Sequence, residues 1–301
     1  MPHLSGITRF LGPLFALIAA CGFSAKAIFI KLAYAEAHVD SVTLLALRML
    51  LAMPFFLWMA WYSGRKQGAL PISRQDWLAL AWLGFLGYYL ASYLDFLGLQ
   101  YISAALERLI LFLYPTIVLL LAVIFYGKRV YAREVAALIL SFSGIAIVFT
   151  HDLKFSASPK ALVTGGALVF LSSVAYAVYL VSNNRLIHRL GSMRFTGIAA
   201  GISSVFVLTH FLILRPLDAL IIPSSLYMNI LALAILSTAV PIWLTSEAIR
   251  RMGPSRVAIV GSVGPILTIG MGGLFLGEPV TWITIAGALL VLAGVLLVSN
   301  L

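Results

Sequence analysis

Ten apolar segments, each about 20 residues long, follow one another along the chain with only short connections between them. A helix needs roughly 20 apolar residues to cross the hydrocarbon core of a bilayer, which is about 30 Å thick. The sequence therefore predicts an all-α integral membrane protein with ten transmembrane helices. Strands of a membrane barrel would instead alternate in segments of about ten residues. The predicted spans are residues 12–33, 41–62, 76–98, 103–125, 131–150, 161–181, 195–214, 224–247, 254–276 and 280–299.

Composition excludes a water-soluble domain as the main part of the chain. Only 10% of the 301 residues are charged and 62% are hydrophobic, whereas a soluble domain carries about 25% charged residues. The net charge of +10 does not indicate a nucleic-acid partner, because Lys and Arg stand in short clusters between the apolar segments. The expected partners are a small-molecule substrate and the lipid bilayer, with no nucleic acid, and the oligomeric state stays open.

Positively charged residues divide unequally between the two sets of alternate connections. Cytoplasmic loops of membrane proteins are enriched in Lys and Arg. One set, which includes the N-terminus, holds thirteen of the 20 basic residues, and the opposite set holds three. The count predicts that both termini are cytoplasmic and supports an even number of spans. The first set comprises Arg9, Arg65, Lys66, Arg74, Lys128, Arg129, Arg133, Arg185, Arg189, Arg194, Arg250, Arg251 and Arg256, and the second comprises Lys154, Lys160 and Arg215.

The chain compared with itself shows a repeat at a shift of 150 residues. We therefore predict two five-helix repeats, residues 1–150 and 151–301. Because each repeat has an odd number of spans, the second enters the membrane from the opposite side. Such inverted repeats are typical of secondary transporters, which expose a central site to each side in turn. The matched pairs are Pro115 and Pro265, Phe125 and Phe275, Gly127 and Gly277, Val130 and Val280, Ala136 and Ala286, Leu140 and Leu290, Gly144 and Gly294, and Val148 and Val298.

Two short segments carry a family resemblance: Phe-Tyr-Gly-Lys-Arg-Val at 125–130 and Leu-Phe-Leu-Gly-Glu-Pro-Val at 274–280. With ten spans, inverted halves and Arg48 in the second span, they make the chain resemble the EamA type of the drug/metabolite transporter superfamily. The second copy keeps that family's helix-ending Gly-Glu pair at Gly277 and Glu278, whereas Lys128 replaces the glutamate in the first copy. The resemblance implies export of small metabolites, amino acids prominent among them, through a bacterial inner membrane.

Small residues recur seven positions apart on the fifth and tenth spans, at Ala137 and Gly144 and at Gly287 and Gly294. This spacing gives each helix a smooth face that permits close approach. The resemblance implies that these two helices lie together, away from the transport cavity.

Pro115 and Pro265 lie near the middle of the fourth and ninth spans, at corresponding points of the two halves. Helix interruptions at such points indicate a transport site. A proline removes one backbone hydrogen bond and frees a carbonyl one turn earlier, which needs another partner in hydrocarbon. We expect both kinks to face protein or a wet cavity and to act in gating, with a simple packing kink as the alternative.

Ionisable residues lie inside the predicted spans of the first half, although even lenient scales assign about 3 kcal/mol to a Lys, Arg or Asp at a helix centre. A zwitterionic substrate needs both signs of charge. Lys26 and Arg48 are therefore candidate ligands for a substrate carboxylate. Glu107 and Asp95 are the candidates for a substrate ammonium group.

The alternative for these residues is internal ion pairing, or contact with water where a residue lies near the end of a span. We favour this alternative for Lys31, Asp95 and Arg108, which lie closest to span ends. Glu107 and Arg108 are adjacent in a helix and point about 100° apart, so they are not expected to neutralise each other.

Aromatic side chains are the remaining candidates for the substrate site, because their faces stack on rings and attract ammonium groups. Tyr88, Tyr114, Tyr179 and Trp243 are the predicted substrate contacts, so neutral and aromatic amino acids are the expected cargo. Further tyrosines that could line the passage are Tyr89, Tyr93 and Tyr176.

Other functions have weaker support in the sequence. Efflux of cationic drugs is the alternative within transporters, but the first span carries Lys26 and no acidic residue. A membrane-embedded enzyme is the alternative from another class. No His-Glu-x-x-His zinc pattern, Cys/His cluster or Walker-type phosphate loop occurs in the sequence. We therefore expect no catalytic residues, no metal and no cofactor.

Overall fold

The computed structural model describes residues 4–37, 39–65, 70–127 and 130–299, and the regular secondary structure of these residues is entirely helical. The predicted fold class, an all-α membrane protein, is confirmed. Among the described residues, nine helices are long and apolar enough to cross a membrane. The last predicted span is a shorter apolar helix, Trp282–Leu297, so the count of ten spans stays a prediction. The nine are Phe10–Glu36, Ser41–Gly64, Arg74–Gly98, Ala104–Phe125, Ala132–Phe155, Pro159–Ser182, Ser192–Leu214, Ser224–Met252 and Arg256–Leu276.

The helices follow the hydropathy pattern closely, but several spans consist of more than one helix. The first half contains α1 (Leu4–Ala37), α2 (Ser41–Gly64), α3 (Arg74–Gly84), α4 (Ala91–Gly98), α5 (Ala104–Leu111), α6 (Tyr114–Tyr126) and α7 (Ala132–Phe155). The second half contains α8 (Pro159–Ser182), α9 (Asn184–Leu190), α10 (Ser192–Leu214), α11 (Ser224–Ala234), α12 (Val240–Met252), α13 (Pro254–Gly261), α14 (Gly264–Leu276) and α15 (Trp282–Ser299).

Two of the predicted continuous spans contain a π-helical segment. Phe85–Leu90 joins α3 to α4, and Ile235–Ala239 joins α11 to α12. In each segment the residue that follows donates its N–H five positions back, from Ala91 to Leu86 and from Val240 to Ile235. Such π-turns inside α-helices are frequently found at functional sites. The short helix α9 and both π-segments were not predicted from the sequence.

The helix bounds recur with the same shift of 150 residues that relates the two halves of the sequence. The π-segments begin at residues 85 and 235, the helix breaks lie at 112–113 and 262–263, and α7 and α15 begin at 132 and 282. Helix α7 continues to Phe155, so residue 150, the predicted boundary between the repeats, lies inside a helix.

Helices of the two halves pack against each other in a reciprocal way. Helix α1 packs on α11, α12, α13 and α14 of the second half, while α8 packs on α4, α5 and α6 of the first half. Helix α2 packs along α10 and α7 packs along α15. Each half therefore inserts its first helix into the other half, and the middle of the bundle is a contact between the two.

Small residues allow α7 and α15 to lie in backbone contact. A Cβ atom on Gly144 would lie 2.6 Å from the carbonyl oxygen of Gly287, and a Cβ atom on Gly287 would lie 2.7 Å from the carbonyl oxygen of Gly144. Ala137 approaches Gly294 in the same way. The expectation that the fifth and tenth spans lie together is confirmed.

Asp40 begins helix α2 and joins it to the connection that follows α10. Its carboxylate accepts hydrogen bonds from the backbone N–H of Val42 at 3.0 Å and the hydroxyl of Thr43 at 2.6 Å. It also pairs with the Arg215 guanidinium at 3.2 Å. Burial raises the pKa of Asp40, but the hydrogen bonds from Thr43 and Arg215 outweigh burial and hold that pKa below its ordinary value of 3.8.

Replacing Asp40 with asparagine is expected to destabilise the protein at neutral pH and to lose this effect in acid. Because the native-state pKa is depressed, the carboxylate contributes stability that is fully present above the ordinary aspartate pKa. That contribution is lost as the pH falls through the native-state pKa. Melting temperatures of both proteins in detergent, from about pH 7 to about pH 3, test this. A gap between them that widens in acid contradicts the prediction.

Candidate functional site

Three charged side chains from three helices meet inside the first half of the bundle. The Lys26 ammonium of α1 lies 2.5 Å from Oδ2 of Asp95 in α4 and 3.3 Å from Oε1 of Glu107 in α5. The side chain of Lys26 is 15% exposed, whereas those of Asp95 and Glu107 are 3% and 0% exposed. We call these three residues the ion cluster.

Local structure around the connection from α4 to α5 holds the two carboxylates near α1. Lys31, on α1, donates to the carbonyl of Ile102 at 2.9 Å, and the hydroxyl of Tyr34 donates to the carbonyl of Phe96 at 2.8 Å. Ser103 caps α5 by accepting from the backbone N–H of Leu106. Glu107 therefore lies in the first turn of α5, and its carboxylate points at Lys26 of α1.

The ion cluster has more hydrogen-bonding capacity than its lysine uses. Oδ1 of Asp95 and both carboxylate oxygens of Glu107 are buried without a hydrogen-bond donor, although Oε1 of Glu107 has the ion pair with Lys26. A carboxylate that is ionised and buried needs such donors. These oxygens are acceptors that the N–H groups of a ligand could use.

Arg48 places a second buried cation between the two halves. Its Nε donates to Oγ1 of Thr238 at 2.8 Å, and its guanidinium lies 5.2 Å from the ring centre of Phe96. Thr238 belongs to the π-segment Ile235–Ala239 and also donates to the carbonyl of Leu233 at 2.9 Å. Arg48 is 8% exposed, and its Nη1 has no hydrogen-bond partner. This atom is available to bind an anionic group.

A cluster of four tyrosines lies where α8 packs on the first half. The ring centres of Tyr88 and Tyr179 are 5.4 Å apart, those of Tyr179 and Tyr176 are 5.6 Å apart, and those of Tyr176 and Tyr114 are 5.3 Å apart. The hydroxyls of Tyr179 and Tyr88 are 3.2 Å apart. Gly87, inside a π-segment, allows this packing, because a Cβ atom there would collide with the ring of Tyr179.

Arg108 points into the protein beside these tyrosines. Its guanidinium lies 5.2 Å from the ring centre of Phe112, and Nη2 would be 2.7 Å from a Cβ atom on Gly264. Its Nε is buried without a hydrogen-bond partner. Asp95 is 2% exposed, so the expectation that it reaches water from its span end is wrong. Arg108 is half-buried, and for this residue the expectation stays a prediction. For Asp95 the other part of that expectation, internal ion pairing, is confirmed by its contact with Lys26.

The remaining aromatic candidates lie apart from the ion cluster. Trp243 is 6.4 Å from Phe15, between ring centres, on the α1–α12 contact. In the described part of the chain, no hydrogen bond, ion pair or ring contact joins Trp243 to the ion cluster. Tyr89 and Tyr93 instead surround His210, whose Nδ1 lies 2.9 Å from the hydroxyl of Tyr89.

Both prolines lie at helix breaks, where serines of the opposite half donate hydrogen bonds to backbone carbonyls. Pro115 is the second residue of α6, and the carbonyl one turn earlier, that of Leu111, accepts from the hydroxyl of Ser173 at 3.2 Å. At the other break, before Pro265, the carbonyl of Gly264 accepts from the hydroxyl of Ser24 at 3.1 Å. The expectation that the kinks face protein is confirmed, because each break is bonded to the first helix of the other half.

The Gly-Glu pair at the end of α14 connects the two halves near the ion cluster. Gly277 has a φ of 65°, the left-handed conformation that ends a helix. The carboxylate of Glu278 then accepts from the N–H groups of Ala104 at 2.8 Å and Ala105 at 3.3 Å, at the start of α5. A carboxylate is favourable at a helix N-terminus. Lys128, the corresponding residue of the first half, lies outside the described residues.

Replacing Glu278 with alanine is expected to open the start of α5. Loss of a helix-capping acceptor typically costs about 0.5–2 kcal/mol, so the amides of Ala104 and Ala105 should exchange with solvent about 2- to 30-fold faster. Hydrogen exchange with mass spectrometry on peptides that cover these residues measures the change. Glu247→Ala, which removes a carboxylate paired with Arg250 and Arg251, is the control. Equal exchange in wild type and the Glu278 variant contradicts this assignment.

No group of three or more His, Cys, Asp or Glu side chains arranged to hold a metal ion occurs in the part of the chain that the structure describes. Within that part, the clustered polar side chains instead form two neighbouring regions. One is the ion cluster with Arg48, and the other is the tyrosine cluster with Arg108.

Comparisons with known proteins match nearly the whole chain to transporters. The model of the EamA-like transporter family matches residues 10–150 and 163–300. The "Uncharacterized transporter YcbK" of Bacillus subtilis (strain 168) is 31% identical over 293 residues, covering 92% of this chain and 88% of the relative. The "Uncharacterized inner membrane transporter YicL" of Salmonella typhimurium is 23% identical over 304 residues, covering 98% and 96%.

A solved crystal structure has the same fold as this chain. Its TM-score is 0.64 at 18% sequence identity, and the similarity covers 95% of each chain. The comparison therefore supports the helix arrangement, and the relatives named above support membrane transport.

Proposed function

The chain belongs to the EamA-like transporter family, and from this premise we propose that it exports small zwitterionic metabolites, amino acids foremost. The observation that carries this proposal is a pair of buried sites of opposite charge, the ion cluster inside the first half and Arg48 at its contact with the second half. Asp95 and Glu107 offer free carboxylate oxygens, and Arg48 offers a free N–H. An amino acid has the ammonium and carboxylate groups that these sites would bind.

The neighbouring tyrosine cluster favours neutral and aromatic side chains as cargo. Tyr88, Tyr114 and Tyr179 present ring faces near Arg108 rather than charged ligands for a side chain. Aromatic faces stack on other rings and tolerate apolar groups. Trp243 contacts Phe15 between α1 and α12 and lies apart from the ion cluster. We therefore propose Trp243 as a substrate contact only for a substrate that passes along α12.

Alternating access between two inverted repeats, residues 1–150 and 151–301, is the proposed mechanism. Support comes from the recurrence of helix breaks and π-segments at a shift of 150 residues and from the exchange of α1 and α8 between the halves. The breaks before Pro115 and Pro265 are the proposed gating points. With thirteen basic residues on one side and three on the other, both termini are cytoplasmic in a bacterial inner membrane.

Counterflow in proteoliposomes tests this function directly. Vesicles that hold an excess of one unlabelled amino acid are diluted into the same labelled amino acid, and a carrier accumulates label transiently. We expect accumulation with neutral or aromatic amino acids and none in empty vesicles or with Glu107→Ala. If none of the amino acids in a complete panel accumulates, amino acids are not the cargo. Conversion of the solute without accumulation would instead indicate an enzyme.

Efflux of cationic drugs is the second candidate, favoured by buried carboxylates close to aromatic rings. Asp95 and Glu107 would bind a cation, and the tyrosine rings would contact its apolar part. Tetraphenylphosphonium in the same counterflow assay distinguishes the two. Accumulation of this cation with no amino-acid accumulation supports drug efflux.

A further inference from the structure

We propose that Lys26 is a tethered substitute for the substrate ammonium group: it neutralises Asp95 and Glu107 in the empty carrier and leaves them when cargo binds. This inference rests on the proposed function and deepens it. It assigns to Lys26 the role of an internal counter-ion, in place of the carboxylate-binding role predicted from the sequence.

The contacts of the ion cluster support this role. The Lys26 ammonium already contacts both carboxylates, at 2.5 Å and 3.3 Å, so it occupies the position that a substrate ammonium group would take. An ammonium engaged in this way is not free to bind a substrate carboxylate. Two cations nearby have a buried N–H without a partner, Arg48 through its Nη1 atom and Arg108 through its Nε atom, and Arg48 is the one that we assign to the substrate carboxylate.

Exposure identifies Lys26 as the member of the cluster that can move. Its side chain is 15% exposed, whereas the two carboxylates are 3% and 0% exposed. A lysine carries a compact charge on a flexible four-carbon stem. The carboxylates can therefore stay in place while the lysine withdraws, and three of their four oxygens lack a hydrogen bond.

The balance of charge explains why a carrier would keep such a lysine. A bound zwitterion adds no net charge, so the ammonium group of the cargo can take the place of the lysine. Among the described residues Lys26 alone forms ion pairs with Asp95 and Glu107, and without it these buried carboxylates would have no ion-pair partner, which is strongly unfavourable. Lys26 therefore permits the empty carrier to change conformation, a step that net transport requires and that exchange of cargo does not.

Chemical rescue of Lys26→Ala tests the ammonium site without any knowledge of the cargo. This substitution removes three carbons and the ammonium nitrogen, the heavy atoms of n-propylammonium. We expect added n-propylammonium chloride to raise the melting temperature of the detergent-solubilised variant by about 3 °C or more. 1-Propanol should give no rise, and the wild type should not respond.

Two companion variants make this result decisive. Asp95→Asn and Glu107→Gln added to Lys26→Ala should abolish the rescue, because the carboxylates are the binding partners. If Lys26→Ala yields folded protein only when purified with n-propylammonium, the proposal is also supported. A variant as stable as wild type without the amine, or one that the amine does not stabilise, overturns it. Lys26→Met, which keeps an unbranched side chain of nearly the same length, serves for the transport assay if the alanine variant does not fold.

Transport by Lys26→Met separates the two steps. The probe is the labelled amino acid that gives the highest wild-type counterflow. We expect net efflux into cargo-free buffer to fall about 100-fold or more, and counterflow to fall less than about tenfold. Equal loss of both activities, or retention of both, overturns the proposal. If no amino acid gives wild-type counterflow, the proposed function fails, and the rescue experiment still decides whether the ammonium site exists.

Discussion

Replacement of Arg48 by alanine is expected to reduce amino-acid counterflow by at least about 100-fold in a protein that still folds. Removal of one partner of a buried, hydrogen-bonded charge pair costs about 2–5 kcal/mol. In the proposed site, the Nη1 atom of Arg48 binds the substrate carboxylate, and this interaction is lost in the variant. Counterflow at several substrate concentrations, with circular dichroism as the check on folding, measures the loss.

Variants that keep part of the arginine separate its charge from its position. Arg48→Lys keeps the charge but loses the planar guanidinium that reaches Thr238 and Phe96 together. We expect it to restore less than about a tenth of wild-type counterflow. Thr238→Val removes only the acceptor that orients Arg48. We expect it to reduce counterflow about tenfold, less than Arg48→Ala does. Wild-type counterflow in Arg48→Ala contradicts the assignment of the carboxylate ligand.

Replacement of Gly287 by leucine is the substitution expected to harm folding most. Even one added carbon would lie 2.7 Å from the carbonyl oxygen of Gly144, so α15 and α7 would have to separate along their whole contact. Overpacking of a fitted interface costs about 1–3 kcal/mol and more where backbone must move. We expect the melting temperature to fall by about 10 °C, or the yield of monodisperse protein to be lost.

A second glycine in the same half provides the matched control. A Cβ atom on Gly270 would have no neighbouring atom within 4 Å, so Gly270→Leu adds the same volume on an open helix face. We expect a change of less than about 2 °C for this variant. Similar melting temperatures for the two leucine variants would show that α7 and α15 do not depend on close contact.

The sequence predicts the spans of this protein well because hydropathy and length are local properties. The breaks before Pro115 and Pro265 follow from the chemistry of one residue type, which lacks a backbone donor. The π-segments at Phe85–Leu90 and Ile235–Ala239 carry no such marker. Their extra residue is stabilised by contacts with other helices, such as the hydrogen bond from Arg48 to Thr238.

The candidate site shows the same division between local and long-range information. The cost of burying charge draws attention to Lys26, Asp95 and Glu107, and the structure brings these three residues together. Which charge pairs with which depends on helix rotation and on distant contacts. The inward direction of Arg108 depends on Gly264, which lies more than 150 positions later and leaves space for the guanidinium.

The contact of Glu278 with the start of α5 has a kinetic consequence for the transport cycle. It bonds the two halves at the proposed extracytoplasmic end, whereas α13, the counterpart of α5, begins at Gly253 and Pro254 with no side-chain cap. The resting population is then biased toward molecules that load from the cytoplasm. For a passive carrier, half-saturation and maximal velocity would both be higher for loading from that face, because the empty carrier returns to it quickly, while their ratio stays equal in the two directions.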